Sequence, residues 1–196
     1  VKSICFASNN YNKYIEIHSV LKKYAIDVHF MRIPLTEIQS NSLIEIAIEK
    51  SKSAFKKISK PIIVEDDGLF IDELKGFPGQ YSSYSFETIG YDGVLKLLIN
   101  SKTRTAYFRS VFAFYDGEIS QSFVGEIKGK IAHIPMGKGW GYDPIFIPNG
   151  SELTLGQLYQ ENRKADFSHR AQALGKFAGW YNYKKDNNIG YSRLLL

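Results

Sequence analysis

The sequence predicts an α/β protein: a mixed sheet, largely antiparallel in its long strands, with flanking helices. Three observations carry that prediction. Strand-like and helix-like periodicities alternate through the first half of the chain. Two long strand-like runs then flank Asp116-Gly117, a residue pair suited to an antiparallel hairpin. No segment repeats at a fixed period, which excludes a solenoid or a propeller. Early alternation followed by long hairpin strands argues for one mixed sheet.

The elements follow in order. Residues 3–8 form a short apolar strand, and residues 12–24 carry Ile15, Val20 and Leu21 at helical spacing. Residues 26–33 alternate as a strand does. Ser42-x-x-Glu45 reads as a capping box opening a helix to Ile58, ended by Pro61. Residues 62–71 read as a strand interrupted by Glu65-Asp66-Asp67. Residues 75–86, rich in Gly, Pro, Ser and Tyr, read as a long functional loop before a short helix over 91–100. Strands are expected over 105–115 and 118–133, then a glycine-rich stretch over 134–142 and a short strand over 144–147. A last helix is expected over 168–184, and the tail over 190–196 is apolar at its end.

Bulk properties narrow the function classes. At 196 residues with 44% hydrophobic and 23% charged residues, the chain fits one soluble globular domain or two closely joined lobes. Its length allows burial of roughly 70% of the unfolded surface without staples. The single cysteine, Cys5, excludes an internal disulfide and fits a reducing cytosol; its place in the first apolar run marks it as a buried structural thiol. No apolar run approaches the ~18 residues of a membrane span, and no signal peptide is visible, so no membrane partner is expected. The net charge of +5 comes from scattered lysines, with no block of five or more basic residues. That pattern gives no nucleic-acid-binding tail and leaves two readings, a solvated surface or a compact polyanionic ligand such as a nucleotide.

Four short segments carry candidate chemistry. Ser8-Asn9-Asn10-Tyr11-Asn12-Lys13 joins the first strand to the first helix, where backbone N–H groups and a lysine suit phosphate; an Asn-rich capped turn is the structural alternative. Glu65-Asp66-Asp67-Gly68 places three carboxylates together, which would be costly to bury unpaired. Mg²⁺ coordination or proton acceptance from water resolves that cost, and a solvated turn is the alternative. Glu37, after the second strand, is a further candidate metal ligand. Gly137-Lys138-Gly139-Trp140-Gly141 is no dinucleotide loop, because Asp143-Pro144 and a strand follow where that motif needs a helix. Its glycines let the backbone approach a flat ligand stacked on Trp140, or else flank a buried indole at a tight turn. Ser168-His169-Arg170 sits at the start of the last helix, five residues after Arg163-Lys164, where an anionic, oxygen-rich ligand is favoured. The four histidines lack metal-ligand spacing, and no Gly-x-Ser-x-Gly elbow or Cys/His pairing suggests covalent catalysis.

In order, these segments resemble the inosine triphosphate pyrophosphatase family. The matching pieces are SNNYNK from Ser8, VEDDGL from Val64, GFPGQYS from Gly76, GWGYDPIF from Gly139 and SHRAQAL from Ser168. Together they cover nearly the whole chain. The resemblance implies a single domain over 1–196 with two lobes around a central nucleotide cleft, forming a homodimer in the cytoplasm. It implies Mg²⁺-dependent hydrolysis of ITP, dITP or XTP to the monophosphate and pyrophosphate, with no stable nucleic-acid complex. Carried onto matching positions, Ser8, Asn9, Asn10, Tyr11, Asn12 and Lys13 would bind triphosphate, Lys50 would reach the phosphates, and Asp67 would be a further substrate-binding residue. Asp66 would be the proton acceptor and, with Glu37, a Mg²⁺ ligand. Trp140, Gly141, Tyr142, Asp143, Lys164, His169 and Arg170 would hold the nucleoside.

The implied chemistry is coherent on its own terms. Lys13, Lys50, Lys164 and Arg170 would neutralise a triphosphate and its leaving group. Donors from His169, Arg170 or nearby backbone would pair with a purine 6-oxo group and leave an adenine amine unsatisfied, a mismatch worth a discrimination of ~10⁴ or more. Guanine shares the 6-oxo group and must be turned away at its 2-amino group. Three positions depart from the family pattern: Asp67 stands where a small hydroxyl residue is common, Trp140 where Phe is usual, and Ser83 where a basic residue often lies. The competing classes are a Maf-like pyrophosphatase for modified pyrimidine nucleotides and a non-catalytic nucleotide- or nucleic-acid-binding module.

Overall fold

Alternation of apolar residues and caps at the expected places produces most of the predicted elements. The structure, a computed structural model, describes residues 2–186. The predicted apolar tail over 190–196 lies outside the described residues. The strands are β1 (Lys2–Ala7), β2 (Ile26–Met31), β3 (Ile62–Ile71), β4 (Pro78–Gly79), β5 (Thr105–Tyr115), β6 (Ser120–Ile131) and β7 (Phe146–Pro148). The helices are α1 (Tyr11–Lys22), α2 (Leu43–Ile58), α3 (Ser82–Leu97), α4 (Leu155–Gln160) and α5 (His169–Asp186), with 3₁₀ turns at Asp72–Leu74, Asp143–Ile145 and Lys164–Phe167.

The strands form one mixed, seven-stranded sheet in the order β2-β1-β3-β5-β6-β7, with β4 paired to β3. β1 runs parallel to β2 in the register Lys2 to Ile26 and parallel to β3 at Cys5 to Ile62. β4 is antiparallel to β3, and β7 to β6. The mixed α/β architecture agrees with the sequence reading. Among the described residues no helix is long and apolar enough to cross a membrane.

The chain divides into two compact units. Of the described residues, the first comprises 2–66, 111–125 and 170–186; the second comprises 67–110 and 126–169. In the first, Ile4, Phe6, Ile17, Leu21, Ile63, Phe112, Phe114 and Phe177 form the core. Burying side chains of this size contributes about 1.5–3 kcal/mol each. The second has its own core, in which Leu69, Ile71, Val94, Phe108, Ile127, Ile145, Phe146 and Leu158 pack together.

Five local expectations need correction. β3 is continuous through Glu65-Asp66-Asp67, because Glu65 and its neighbours are satisfied by ion pairs inside the fold and no turn is needed. The capping box at Ser42 is only half made. Ser42 Oγ accepts from Glu45 N, but the Glu45 carboxylate accepts from Ser40 Oγ at 2.7 Å, and Ser40 Oγ in turn accepts from Ser42 N. The stretch read as a loop over 75–86 contains β4 and the start of α3. Ser82 Oγ donates to the Gly79 carbonyl at 2.7 Å and accepts from Leu69 N at 2.8 Å, tying the helix start to β3. α3 is two helical segments joined at Gly90, whose φ of 63° and ψ of −172° break the helix just before the predicted start at Tyr91. Last, the hairpin turn is longer than two residues: Asp116 Oδ1 accepts from Glu118 N and Ile119 N, so β6 begins at Ser120.

Candidate functional site

The first unit gathers charge. Between β1 and α1, Asn10 is the N-cap: its side chain accepts from Asn12 N and Lys13 N, while Asn10 N donates to Ser8 Oγ at 3.0 Å. The segment therefore combines both sequence readings, a capped turn and a polar loop. Two of the helix N–H groups are taken by the cap. Asn9 and Asn12 are exposed, Tyr11 is exposed with its ring edge against Phe30, and the Lys13 side chain is mostly buried.

Extended backbone sends successive β3 side chains to opposite faces. Glu65 follows Ile63 onto a core face and is buried; Asp66 is half-buried. Arg170, 1% exposed, donates from Nε to Glu65 Oε1 at 2.7 Å and from Nη1 to Glu16. Lys13 Nζ lies 3.4 Å from Glu65 Oε2. In the sequence Glu65 stands out only as one of three adjacent carboxylates, and Glu16 does not stand out at all. Strand alternation flags the first, and the i, i+3 spacing of Lys13 and Glu16 on α1 flags the second.

Lys50, on α2, reaches the middle of β3. Its Nζ pairs with Glu37, lies 3.7 Å from Asp66 Oδ2 and donates to the Glu65 carbonyl at 3.4 Å. The structure thus brings Glu37, Lys50 and Asp66 together. Among the described residues no group of three or more His, Cys, Asp and Glu side chains could hold a metal ion. The donor set here is two carboxylates around one ammonium. Two carboxylates with substrate phosphates and water suit Mg²⁺, which seldom relies on an all-protein cage.

The second unit gathers rings and a buried ion pair. Lys164 Nζ lies 2.7 Å from Asp143 Oδ2 and 5.2 Å from the Trp140 ring centroid. Asp143 Oδ2 also accepts from Trp140 N at 3.3 Å. A Cβ on Gly139 would fall 2.8 Å from Asp143 Oδ2, so this glycine serves close packing against Asp143; Gly141 serves a left-handed turn, with φ of 62°. Tyr142 is buried, meets Phe86 edge to face and donates to the Ser82 carbonyl at 3.4 Å; burial pushes its phenol up, with the Ser85 hydroxyl acting the other way.

His169 begins α5 and is buried, its ring stacked on Phe108 at 4.9 Å and 9°. Its Nε2 lies 3.9 Å from Asp67 Oδ2. Phe108, the platform, carried no signal in the sequence beyond its place in a strand. Ser168 has extended backbone just before α5, and Ser83 is exposed in the first turn of α3. The second unit can therefore offer an indole face, a buried imidazole and polar groups locked by neighbours, a set that suits a flat heterocycle.

Comparison with known proteins places this arrangement. Residues 4–180 match the Ham1 family. The chain is 46% identical to a dITP/XTP pyrophosphatase of Methanopyrus kandleri, covering 95% of this chain and 97% of the relative. It is 40% identical to a dITP/XTP pyrophosphatase of Thermococcus kodakarensis, covering 90% and 96%. Among solved structures it superposes on the Ham1 protein of Coxiella burnetii with a TM-score of 0.82 at 29% identity, covering 93% of this chain and 100% of that one. With the Staphylococcus aureus Ham1 protein the TM-score is 0.79 at 30% identity, with the same coverage. A family match across nearly all of the chain, joined to relatives of the same length, makes this protein a member of the Ham1 family.

Proposed function

We propose that this protein hydrolyses the non-standard purine nucleoside triphosphates dITP, ITP and XTP to the monophosphate and pyrophosphate, and so cleanses the nucleotide pool. The observation that carries the reading is the convergence of Glu37, Lys50 and Asp66: a candidate base, a second acid and a cation at one point. Its similarity to dITP/XTP pyrophosphatases supports the substrate class.

In this reading water attacks the α-phosphorus, the bond from that phosphorus to the β-phosphate's bridging oxygen breaks, and pyrophosphate leaves. Asp66 accepts the water proton. Lys13 and Lys50 stabilise charge on the phosphates and the leaving group. Glu37 and Asp66 would hold Mg²⁺, which when bound polarises the phosphate oxygens. Trp140 provides a stacking face for the purine, and His169 donates to its 6-oxo group. The same reading includes a homodimer in the cytoplasm. Sedimentation equilibrium tests the dimer, and cell fractionation tests the location.

Product analysis with dITP and Mg²⁺ is the deciding experiment, run beside XTP, dATP, dGTP, dTTP and UTP. The expected products are dIMP and pyrophosphate, and chelation by EDTA is expected to stop their release. Appearance of dIDP and orthophosphate would mean attack at the γ-phosphorus. Negligible dITP turnover beside rapid pyrimidine turnover would overturn the substrate assignment.

A further inference from the structure

Three cations suited to a polyanion converge on one residue with no part in the proposed chemistry. Lys13 Nζ lies 3.4 Å from Glu65 Oε2, Arg170 Nε donates to Glu65 Oε1 at 2.7 Å, and Lys50 Nζ donates to the Glu65 carbonyl at 3.4 Å. The Glu65 side chain has no solvent exposure, and that of Arg170 has 2%. On its other side the Arg170 guanidinium is held by Glu16. A buried guanidinium between two carboxylates has little freedom to turn, so it fixes Glu65 in a single orientation. Glu65 in turn meets Lys13, a long side chain that would otherwise sample many rotamers.

We infer that Glu65 is a positioning residue: locked by Arg170 and Glu16, it aims the Lys13 ammonium at the phosphates of the substrate. The inference rests on the pyrophosphatase reading. It also separates two neighbours in sequence. The Arg170 guanidinium serves the phosphate end through Glu65, and discrimination among bases lies with His169.

A carboxylate this close to bound phosphate has two opposed effects. It repels the phosphates, and it orders the lysine that attracts them. The Arg170 guanidinium neutralises Glu65 at hydrogen-bond distance, which cancels most of the repulsive field at longer range. Ordering therefore dominates, and loss of the carboxylate is expected to weaken phosphate binding.

The test is calorimetric binding of inorganic pyrophosphate with Mg²⁺ to wild type, Glu65→Gln, Lys13→Met and the double variant, with dITP kinetics alongside. Glu65→Gln is expected to bind pyrophosphate about tenfold more weakly. KM for dITP is expected to rise by a similar factor, with kcat changed much less and the dITP-to-dATP preference unchanged. In the Lys13→Met background the same substitution is expected to cause no further loss. A purely structural role would lower Tm without that coupling. Unchanged or tighter pyrophosphate binding by Glu65→Gln overturns the inference, as does a full loss that persists without Lys13. Glu65→Asp covers failure of the Gln variant to fold: it keeps the charge but shortens the reach. It should show a smaller loss of the same sign, and wild-type affinity in the folded Asp variant overturns the inference. Wild-type dITP turnover keeps the two readings apart. If wild type releases pyrophosphate and the Glu65 variants match it, only the positioning role fails; if wild type releases none, the pyrophosphatase reading fails and takes this inference with it.

Discussion

The two units solve opposite problems. In the first, Lys13, Lys50, Glu37, Glu65, Asp66 and Arg170 form a dense set of matched charges around the middle of β3. In the second, Trp140 and Phe108 present rings beside a buried ion pair, Lys164 with Asp143, and an imidazole held flat. A charged ligand end needs cations that carboxylates hold in place until phosphate arrives. A heterocycle needs a rigid face and few polar groups, each locked in one orientation. The contrast teaches that kcat and base preference should respond to different halves of the chain, although Asp66 and Asp67, and again His169 and Arg170, are adjacent in sequence.

The sharpest way to break the comparison is Asp66→Asn. Loss of the proposed base is expected to lower kcat about 10³-fold, measured as pyrophosphate release from dITP, with little change in Tm. Retention of wild-type kcat would remove Asp66 from the chemistry. Next in size is Lys164→Met, which leaves Asp143 buried without its 2.7 Å partner. It is expected to destabilise the protein by about 3 kcal/mol in a denaturant titration. If the loss is only a few tenths, the pair is not the lock described here.

Smaller effects sharpen the division. Trp140→Ala is expected to raise KM for dITP about tenfold, the scale of one base–aromatic stack, while Trp140→Phe stays near wild type. A matching fall in kcat with no change in KM would argue against a stacking role. The smallest effect is expected at the cap of α1: Asn10→Ala removes the acceptor for Asn12 N and Lys13 N and should cost about 1 kcal/mol by thermal unfolding. No loss there would mean that another group takes over the cap.

Much of the fold was legible, for local reasons. β1, α1, β2, α2 and α5 lie within a few residues of their predicted bounds, because period-2 and period-3.6 patterns and the Ser42 cap are written in short windows. α4 was missed although Thr154-x-x-Gln157 is a complete capping box in both directions. At six residues, α4 is too short for its periodicity to show. The start of α3 was missed for a different reason. Its Gly-, Pro- and Ser-rich approach reads as loop, and the helix start is held by Ser82's contacts with Gly79 and Leu69, which no window along the chain contains.

The candidate site divides in the same way. Residue types pointed to Glu37, Asp66 and Trp140, and the resemblance to the inosine triphosphate pyrophosphatase family added Lys50, Asp143 and Lys164. What they could not reveal is which charges would be matched internally. Arg170 and Glu65 are separated by 105 positions in sequence, and only folding brings the guanidinium of α5 onto the buried carboxylate of β3. The sequence by itself determined the mixed α/β class, the inventory of acids and cations, and the aromatic face at Trp140. Tertiary structure alone decided that β3 runs unbroken through three carboxylates, that His169 lies on Phe108, and that Arg170 is clamped between Glu16 and Glu65. Local propensity depends on neighbours a few residues away, whereas the cost of burying a charge depends on partners brought from anywhere in the chain.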